Sequence, residues 1–484
     1  MLDKNRRIQL YNTLTKRKEL FKPVTKGHVG IYCCGPTVYS DPHLGHAKSA
    51  IAYDVLVRFL RYIDYKVRYV RNITDVGHLT DDGDDGEDKI IKRAQIEKME
   101  PMELVEFYLK RYLDAVDKLN VLRPNIAPHA SAYIPEQINA VQILINKGYA
   151  YETDGSVYFD IKKFSKYGKL SARKVEQQKA GARIEINNNK KHPADFALWK
   201  KADPKHILKW RSPWGYGFPG WHIECSVMSM KFLGNTLDIH GGGIDLQFPH
   251  HECEIAQSES ITGVKFVNYW LHNNMVTVEG IKMSKSLGNF TTIKDLTDKY
   301  DPIYIRYFIL SSHYRSILDF NENGIIVAAN AVKKLSSYFA HIENAFKNNV
   351  LSDGTINKNV KFRIDRLLED VLESLSDDLN TPQVLASLFG FFKEHSYLIV
   401  NIMQENKSTI EYMHTVLTDI FQNILGLSIV REQDLIQSNV NIKEVISTLD
   451  QIRNKLRNKG FFEESDLIRN SISKLGVNID DDKL

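Results

Sequence analysis

The sequence predicts an α/β protein in which a parallel sheet is split by an insertion and followed by an all-α C-terminal region. Three observations lead to this class. A strand, a helix and a second strand follow one another over residues 29–70. A strand pattern returns at residues 236–240, after a long stretch of different character. Beyond Phe320 the apolar residues recur almost throughout at the spacing of amphipathic helices.

The first βαβ unit begins with segment 29–34 (VGIYCC), which is apolar and is ended by a Gly-Pro pair, as is typical of a buried strand. A helix is predicted after His46, because apolar residues fall four apart from Ile51 to Ile63. Residues 65–70 then alternate like a second strand. This order predicts a Rossmann-type parallel sheet with a nucleotide crevice at the carboxyl ends of its strands.

The rest of the chain supplies the insertion and the helical region. Residues 102–150 have a helical pattern and residues 151–200 a mixed one, which together predict an insertion that splits the sheet. The sheet resumes at residues 236–240 and a glycine turn. Near the C-terminus, two amphipathic helices are predicted to end at Gly460 and Gly476, where glycine is favoured as a C-cap.

Composition limits the class of protein. A chain of 484 residues exceeds one compact core, so three or four domains are expected. A net charge of +4 argues against a nucleic-acid coat, although clustered basic residues can still bind RNA. Four cysteines in so long a chain favour metal or catalytic roles over disulfides. No apolar run resembles a secretion signal or a membrane span, so we expect a cytoplasmic protein without membrane contact.

Two short motifs point to nucleotide chemistry. The first holds His43, Gly45 and His46 at the start of the predicted helix, where unpaired backbone N–H groups attract anions. The two histidines can donate to phosphate, and the glycine lets adenine or ribose approach the backbone. The second motif holds Lys282 and Lys285 in a polar loop that could close over a triphosphate. Surface histidines and a solvated basic turn are the alternatives when each motif is taken alone.

A third constellation predicts a metal site. Cys34 ends the first strand, Cys225 lies far along the chain, and His250 and Glu254 are four residues apart. Two thiolates, an imidazole and a carboxylate suit zinc. Spacing alone leaves the ligand set open, because other candidate ligands are adjacent in sequence: Cys33, His251, Glu252 and Cys253.

In this order, with a long insertion between them, the two short motifs resemble the signatures of class I aminoacyl-tRNA synthetases. Longer segments resemble cysteinyl-tRNA synthetases over about residues 8–480. The segments that carry this resemblance are CGPTVY at 34–39, DFALW at 195–199, GWHIEC at 220–225, DIHGGG at 238–243, FPHHECEIAQ at 248–257, NYW at 268–270 and DDLNTP at 377–382.

The resemblance implies a chemistry and a set of residues. It implies one Zn²⁺ per chain, held by Cys34, Cys225, His250 and Glu254, with the thiolate of L-cysteine as a further ligand. Since a soft thiolate binds zinc strongly and a hydroxyl does not, serine would be rejected in the first binding step. The implied cysteine pocket consists of Gly35, Thr74, Trp221 and His240. The implied ATP site, with Mg²⁺ as the partner of ATP, consists of Gly45, His46, Gly242, Asp245 and Lys285.

The implied activity is cysteine–tRNA ligation by a protein that is expected to be a monomer. L-cysteine and ATP would form cysteinyl-adenylate, and the cysteinyl group would pass to the terminal adenosine of tRNA(Cys), which bears a GCA anticodon. The attacking carboxylate is already ionised, so no general base is required and positioning carries the step. Two alternatives are a paralogous ligase that acylates a small amine and an RNA-binding regulator with an inactive site.

The resemblance also implies a domain division and an RNA-binding end. Tyr314 and Arg315 would face the inner corner of the tRNA. Arg453 is one of four basic residues on a C-terminal helix that could contact phosphates, the others being Lys455, Arg457 and Lys459. The predicted segments are the first half of the catalytic domain at 1–115, a connective insertion at 116–200, the second half at 201–262, a linker with the lysine loop at 263–320, a helical bundle at 321–430 and an anticodon-binding region at 431–484.

Two departures from the family pattern stand out. The sequence ends at residues 480–484 without the glycine- and tryptophan-containing tail of many relatives, and helical contacts could suffice to read the anticodon. The loop at 76–88 is longer than usual and acidic. A calcium loop is one interpretation, but Gly83 stands where an EF-hand needs an oxygen ligand, so an acidic surface loop is favoured.

Overall fold

A computed structural model describes residues 6–80, 86–173, 189–204, 206–283, 290–347, 352–429 and 442–473. The chain divides into two compact units, residues 1–427 and 428–484, which are described separately below. The α/β class predicted from the sequence is confirmed. The first unit contains a parallel sheet, an insertion with its own antiparallel sheet and a helical region.

The N-terminal part of the first unit contains the predicted βαβ unit. A short hairpin precedes it, and the elements in chain order are β1 (Gln9–Asn12), β2 (Arg17–Leu20), β3 (His28–Cys33), α1 (Leu44–Tyr62) and β4 (Lys66–Arg71). Strands β3 and β4 are parallel neighbours, as a right-handed crossover through one helix predicts. Helix α1 is buried along most of its length, because the sheet covers one side of it and later helices cover the other.

The insertion contributes helices and an antiparallel sheet. Its elements are α2 (Lys89–Glu97), α3 (Pro101–Lys118), α4 (Ile134–Asn146), β5 (Ala150–Thr153), β6 (Ser156–Phe159), β7 (Phe196–Lys201), β8 (Trp210–Ser212) and β9 (Gly215–Pro219). The five strands form one sheet in the order β5-β6-β7-β9-β8. This sheet covers the stretch 151–200, where the sequence pattern was mixed, and continues beyond it to Pro219.

The parallel sheet is completed after the insertion. The elements are α5 (Trp221–Leu233), β10 (Leu237–Gly243), α6 (His250–Thr262) and β11 (Val267–Asn273). The strand order is β11-β10-β3-β4, and all neighbours are parallel. Strands β3 and β10 come from opposite sides of the insertion and lie side by side, with Gly241 opposite Cys33. Their carboxyl ends therefore meet at one edge, where such sheets bind ligands.

A small sheet and a helical region complete the first unit. The elements are β12 (Val276–Val278), β13 (Ile281–Lys282), α7 (Ile293–Lys299), α8 (Pro302–Leu310), β14 (Leu318–Phe320), α9 (Glu322–Lys347), α10 (Lys358–Ser376), α11 (Thr381–Glu394), α12 (Ser396–Val400), α13 (Lys407–Thr418) and a π-helical turn (Asp419–Ile424). The small sheet has the order β13-β12-β14.

The helical prediction beyond Phe320 is confirmed for the described residues. Helix α9 shows why, because its buried residues recur at intervals of three or four: Ile325, Ala328, Val332, Leu335, Phe339, Ile342 and Ala345. None of the helices in the described ranges is long and apolar enough to cross a membrane.

The second unit contains helices α14 (Ile442–Asn458) and α15 (Phe462–Ser473) within its described part. Gly460 adopts a φ of 81° just after α14, so the predicted C-cap is confirmed there. Gly476 lies outside the described residues. The expectation that Arg453 contacts RNA phosphates is wrong. Its side chain is only 2% exposed and donates a hydrogen bond to Asp450. Because its guanidinium is covered, Arg453 does not present charge to RNA.

Candidate active site and metal centre

The first signature motif caps helix α1 through its own histidines. His43 is the N-cap, and its Nδ1 accepts the backbone N–H of Gly45 at 3.0 Å. His46 Nδ1 accepts the N–H of His43 at 3.1 Å, and the two rings lie 3.8 Å apart. An Nδ1 that accepts carries no proton, so each neutral ring bears its hydrogen on Nε2. The motif therefore presents two N–H donors beside a helix N-terminus.

Gly45 is required by the fold of this motif. A Cβ at this position would lie 2.8 Å from Cε1 of His43, which is closer than carbon atoms can approach. The ring of His43 would have to leave its capping position. From the sequence, this glycine was expected to let the nucleotide approach the backbone. In the structure it also leaves the space that the His43 ring occupies.

The second signature motif lies against the first. Lys282 ends β13, and Lys285 lies outside the described residues, within the segment 284–289. Met283 and Phe290, the residues that flank this segment, both lie against the histidine motif. Met283 Cε would be 3.7 Å from a Cβ on Gly45, and the ring of Phe290 packs edge-on against His43 with centroids 5.0 Å apart. The fold thus brings together two motifs that are distant in sequence.

The four predicted metal ligands converge at the carboxyl edge of the parallel sheet. Cys34 follows β3, Cys225 lies on α5, and His250 and Glu254 are one turn apart on α6. Their ligand atoms all lie within 4.8 Å of one another, and all four residues are buried. Cys34 Sγ is 3.8 Å from Cys225 Sγ and 3.8 Å from Glu254 Oε1.

The geometry of these four residues fits a tetrahedral zinc ion. Two sulfurs that each lie about 2.3 Å from zinc at a tetrahedral angle are separated by about 3.8 Å, which is the distance found between Cys34 and Cys225. His250 Nε2 is buried 3.1 Å from Glu254 Oε1 and has no hydrogen-bond partner among the described residues. An unpartnered nitrogen within such a donor set suits a metal ligand.

Charge in the cluster favours ionised ligands. Burial opposes ionisation of Glu254, but the neighbouring His240 and His250 outweigh it and lower its pKa to about 2. Burial likewise opposes ionisation of Cys225, yet the hydrogen bond from Cys34 and the proximity of His250 lower its pKa to about 6. Burial and the adjacent Cys225 raise the pKa of Cys34 well above its usual range. At neutral pH the cluster therefore holds a carboxylate and one thiolate.

Three of the four rival ligands are engaged elsewhere. Cys33 is buried one residue before Cys34, and its Sγ lies 3.6 Å from the carbonyl oxygen of Cys34. Cys253 contacts the hydroxyl of Tyr167 at 3.4 Å. The Glu252 carboxylate accepts backbone N–H groups of Gly168, Leu170 and Ser171. Neither Cys33, Cys253 nor Glu252 joins a metal-sized cluster in the described parts of the chain.

The fourth rival, His251, belongs to a second possible group. Cys34, His240, His251 and Glu254 also lie within 4.8 Å of one another. His240, however, has an acceptor at each ring nitrogen: the Tyr32 carbonyl at 3.1 Å and Glu254 Oε2 at 2.9 Å. A metal bound to His240 would therefore have to displace one of these two partners. This arrangement favours the set with Cys225 and His250, and it gives His240 the task of orienting Glu254.

The residues predicted for the cysteine pocket surround this cluster. Trp221 stacks on His78, with centroids 3.9 Å apart, and packs against His250 at 4.2 Å. Thr74 is buried and donates to Glu224 at 3.2 Å. The N–H of Gly35 is held by Asn72.

Asn72 is a residue that the sequence analysis missed. Its side chain accepts from the N–H of Gly35 at 2.8 Å and donates to Thr74 Oγ1 at 3.1 Å. A Cβ on Gly35 would lie 1.5 Å from the Asn72 carbonyl, so glycine is required there. A signal was available, because Asn72 lies two residues after the predicted strand 65–70 of a parallel sheet, and ligand-binding side chains gather at such strand ends.

The predicted ATP residues of the second half-sheet lie beside the cluster. Gly242 is in β10, and a side chain there would collide with Leu246. Asp245 lies in the 3₁₀ turn Ile244–Gln247 that follows, with its carboxylate folded towards Gly243. Both are at the carboxyl edge that also carries Cys34.

The chain is similar to known proteins over nearly its whole length. The model of the "tRNA synthetases class I (C) catalytic domain" matches residues 20–330, and a DALR domain matches residues 370–429. The cysteine–tRNA ligase of Thermus thermophilus is 46% identical over 476 residues, 98% of each chain. That of Chlorobaculum tepidum is 46% identical over 488 residues, 98% of this chain and 97% of the relative.

Solved structures agree on the fold. The methionyl-tRNA synthetase of Mycobacterium tuberculosis in complex with methionyl-adenylate superposes with a TM-score of 0.61 at 14% identity, over 83% of this chain and 92% of that one. At this identity the likeness concerns the fold alone. The family follows from the sequence matches: the chain belongs to the cysteine–tRNA ligases, a family of class I aminoacyl-tRNA synthetases.

Proposed function

We propose that this chain activates L-cysteine with ATP and transfers the cysteinyl group to the 3′-terminal adenosine of tRNA(Cys). The observation that carries the proposal is the buried quartet of Cys34, Cys225, His250 and Glu254, in a chain that also carries the histidine motif and is 46% identical to cysteine–tRNA ligases. A tRNA ligase for another amino acid would have no use for a thiol-selective site.

Activation requires attack by the cysteine carboxylate on the α-phosphorus of ATP. A new bond forms between a carboxylate oxygen and phosphorus, and the bond to the bridging oxygen breaks, so that its electron pair leaves with pyrophosphate. The attacking group is already ionised, so orientation and charge stabilisation carry the step. His43 and His46 donate from Nε2 to the phosphates, while Lys282 and Lys285 neutralise the leaving pyrophosphate, with Mg²⁺ bound to ATP.

The adenosine moiety of ATP is proposed to lie along the carboxyl edge of the sheet. Gly45 and Gly242 allow close approach of the nucleotide to the backbone. Asp245 follows β10 at the same edge and is placed to accept from a ribose hydroxyl. These residues would hold the α-phosphorus between the histidine motif and the cysteine pocket.

Zinc would be held by Cys34, Cys225, His250 and Glu254. When bound, it supplies a soft Lewis acid that favours a thiolate over a hydroxyl and so discriminates cysteine from serine. Trp221 lines the pocket next to His250. Gly35 and Thr74 line it from the segments that follow β3 and β4, where Asn72 connects them. His240 lies beneath the site and holds Glu254 in place.

The helical regions are proposed to bind tRNA. The DALR match at residues 370–429 supports this for the bundle, and the family supports it for the second unit. We retain the predicted segments 1–115, 116–200, 201–262, 263–320, 321–430 and 431–484 as the functional division. Tyr314 and Arg315 are both tied to Asp378 of the bundle, at 2.7 Å each, and so mark the junction that would face the tRNA corner.

The test is charging of bulk tRNA with labelled cysteine beside labelled serine, with ATP-Mg and zinc-replete protein. We expect cysteine to be attached and serine not. Cysteine-dependent pyrophosphate exchange without charging would instead indicate a ligase for a small amine. RNA binding without exchange would indicate a regulator, and either result would overturn the proposal.

A further inference from the structure

Lys48 is a buried lysine that the proposed chemistry does not use. It lies on α1, two residues after His46, and its residue surface is only 1% exposed. Its ammonium donates to two backbone carbonyls, those of Met275 (3.3 Å) and Ser316. A buried ammonium is unfavourable unless its surroundings hold it. Burial accordingly lowers the pKa of Lys48 to about 8. The positions of these two carbonyls show which parts of the fold Lys48 connects.

Both carbonyls stand at the same end of the small sheet. Met275 directly precedes β12, and Ser316 lies two residues before β14. The carbonyl of Met275 also accepts the N–H of Leu318, the first residue of β14, at 3.2 Å. Strands β12 and β14 are parallel neighbours. Lys48 therefore fastens the start of both strands to the helix that carries the histidine motif.

The small sheet leads directly into the lysine loop. Strand β12 pairs with β13, which ends at Lys282, and the N–H of Met283 donates to the Val276 carbonyl at 3.4 Å. The Met283 methyl group in turn lies over Gly45. The path thus runs from α1 through Lys48, Met275, Val276 and Met283, and returns to α1 less than one turn away.

We propose that Lys48 is a positioning residue that sets the base of the lysine loop against the histidine motif. The proposal rests on the proposed function, because it assigns Lys48 an effect on catalysis through Lys282. A loop base that shifts by about 1 Å can lower the rate about 100-fold without weakening substrate binding. Lys48 would thereby couple the two halves of the ATP site without contacting ATP.

The test is cysteine-dependent ATP–pyrophosphate exchange with Lys48→Met, which keeps an unbranched side chain one atom shorter and removes the ammonium. We expect kcat to fall about 10- to 100-fold, while KM for cysteine stays within about twofold and the zinc content is unchanged. Lys48→Arg, which can still bridge two carbonyls, should recover most of kcat. Lys66→Met, at an exposed lysine of β4, is the matched control.

A double variant separates positioning from general damage. If Lys48 acts through the loop, adding Lys48→Met to Lys282→Ala should lower kcat by less than the product of the two single effects. Multiplied effects, an unchanged kcat, or a loss that appears in KM for cysteine or in zinc content would overturn the proposal. If Lys48→Met does not fold, Lys48→Gln, which reaches one carbonyl, replaces it under the same criteria. Wild-type protein that shows no exchange would contradict the proposed function instead.

Discussion

The quartet of Cys34, Cys225, His250 and Glu254 and the strand that carries Lys282 differ in how the fold holds them. The quartet is formed by buried residues on a strand end and two helices, and its charges influence one another over less than 5 Å. Lys282, by contrast, is an exposed residue on a two-residue strand at the edge of a small sheet. The first site is held by the core of the domain, and the second is held by a few hydrogen bonds to α1 and β12.

We expect this difference to separate recognition from catalysis. A site that must tell a thiol from a hydroxyl benefits from ligands fixed before the substrate arrives. Cations that stabilise a leaving group need to be placed only when ATP is bound. Substitutions in the quartet should therefore affect metal and cysteine binding, whereas substitutions around the lysines should affect the rate of activation and leave the metal in place.

The largest expected effect is on the quartet side. Cys225→Ala removes the ligand whose pKa is already lowered to about 6. We expect loss of the bound zinc and a fall in cysteine activation of about 1000-fold or more, since the remaining donors cannot close a tetrahedral site. Zinc is measured by elemental analysis and activation by pyrophosphate exchange. Cys253→Ala, a buried thiol outside the quartet, should keep both.

The next effect tests the lysine side. Lys285→Ala removes a charge that would stabilise pyrophosphate as it leaves. We expect about a 100-fold slower exchange with zinc content and tRNA binding retained. Rapid-quench measurement of adenylate formation isolates this step. A variant that activates cysteine at the wild-type rate would remove the lysine loop from the mechanism.

A smaller effect is expected at His240, which contacts Glu254 but is not itself part of the quartet. His240 donates to Glu254 Oε2 at 2.9 Å and to the Tyr32 carbonyl. Replacing it with leucine leaves Glu254 without its orienting donor, and partners of this kind change metal affinity about 10- to 100-fold. Competition for zinc against a chromophoric chelator measures the loss. Equal affinity would show that His240 does not orient Glu254, whereas a complete loss of zinc would show that the alternative group, which includes His240, holds the metal.

The smallest effect concerns the histidine motif. A Cβ introduced by Gly45→Ala would meet Cε1 of His43 at 2.8 Å, so the ring must move away from its cap. We expect about a tenfold loss in exchange rate, and no change in zinc affinity. Steady-state kinetics with titrated zinc distinguishes the two. Weaker metal binding in this variant would mean that the two sites are not separable.

Much of this architecture was predictable from the sequence, and the reasons are local. The βαβ unit follows from the apolar pattern of residues 29–70, and the helical region follows from its 3.6-residue period. The quartet needed the family resemblance, because spacing gave Cys33 and Cys253 equal standing with Cys34. Only the fold shows that Glu252 binds the backbone of residues 168–171 and that both ring nitrogens of His240 lie against oxygen acceptors.

Other features were beyond prediction because they depend on tertiary contacts. Arg453 belongs to a basic run in the sequence, yet its side chain is buried against Asp450. Lys48 carries no motif of its own, since its partners are the backbone carbonyls of Met275 and Ser316, far along the chain. A side chain that binds backbone groups leaves no signature in one sequence.

The central claim is that the quartet recognises the substrate thiol, and absorption of the cobalt-substituted protein tests it most directly. Co²⁺ takes the same tetrahedral donors as zinc and reports a new thiolate ligand as added near-ultraviolet charge-transfer absorption. We predict that L-cysteine increases this absorption and shifts the visible bands, and that L-serine at the same concentration does neither. Identical spectra with cysteine and serine would contradict the account.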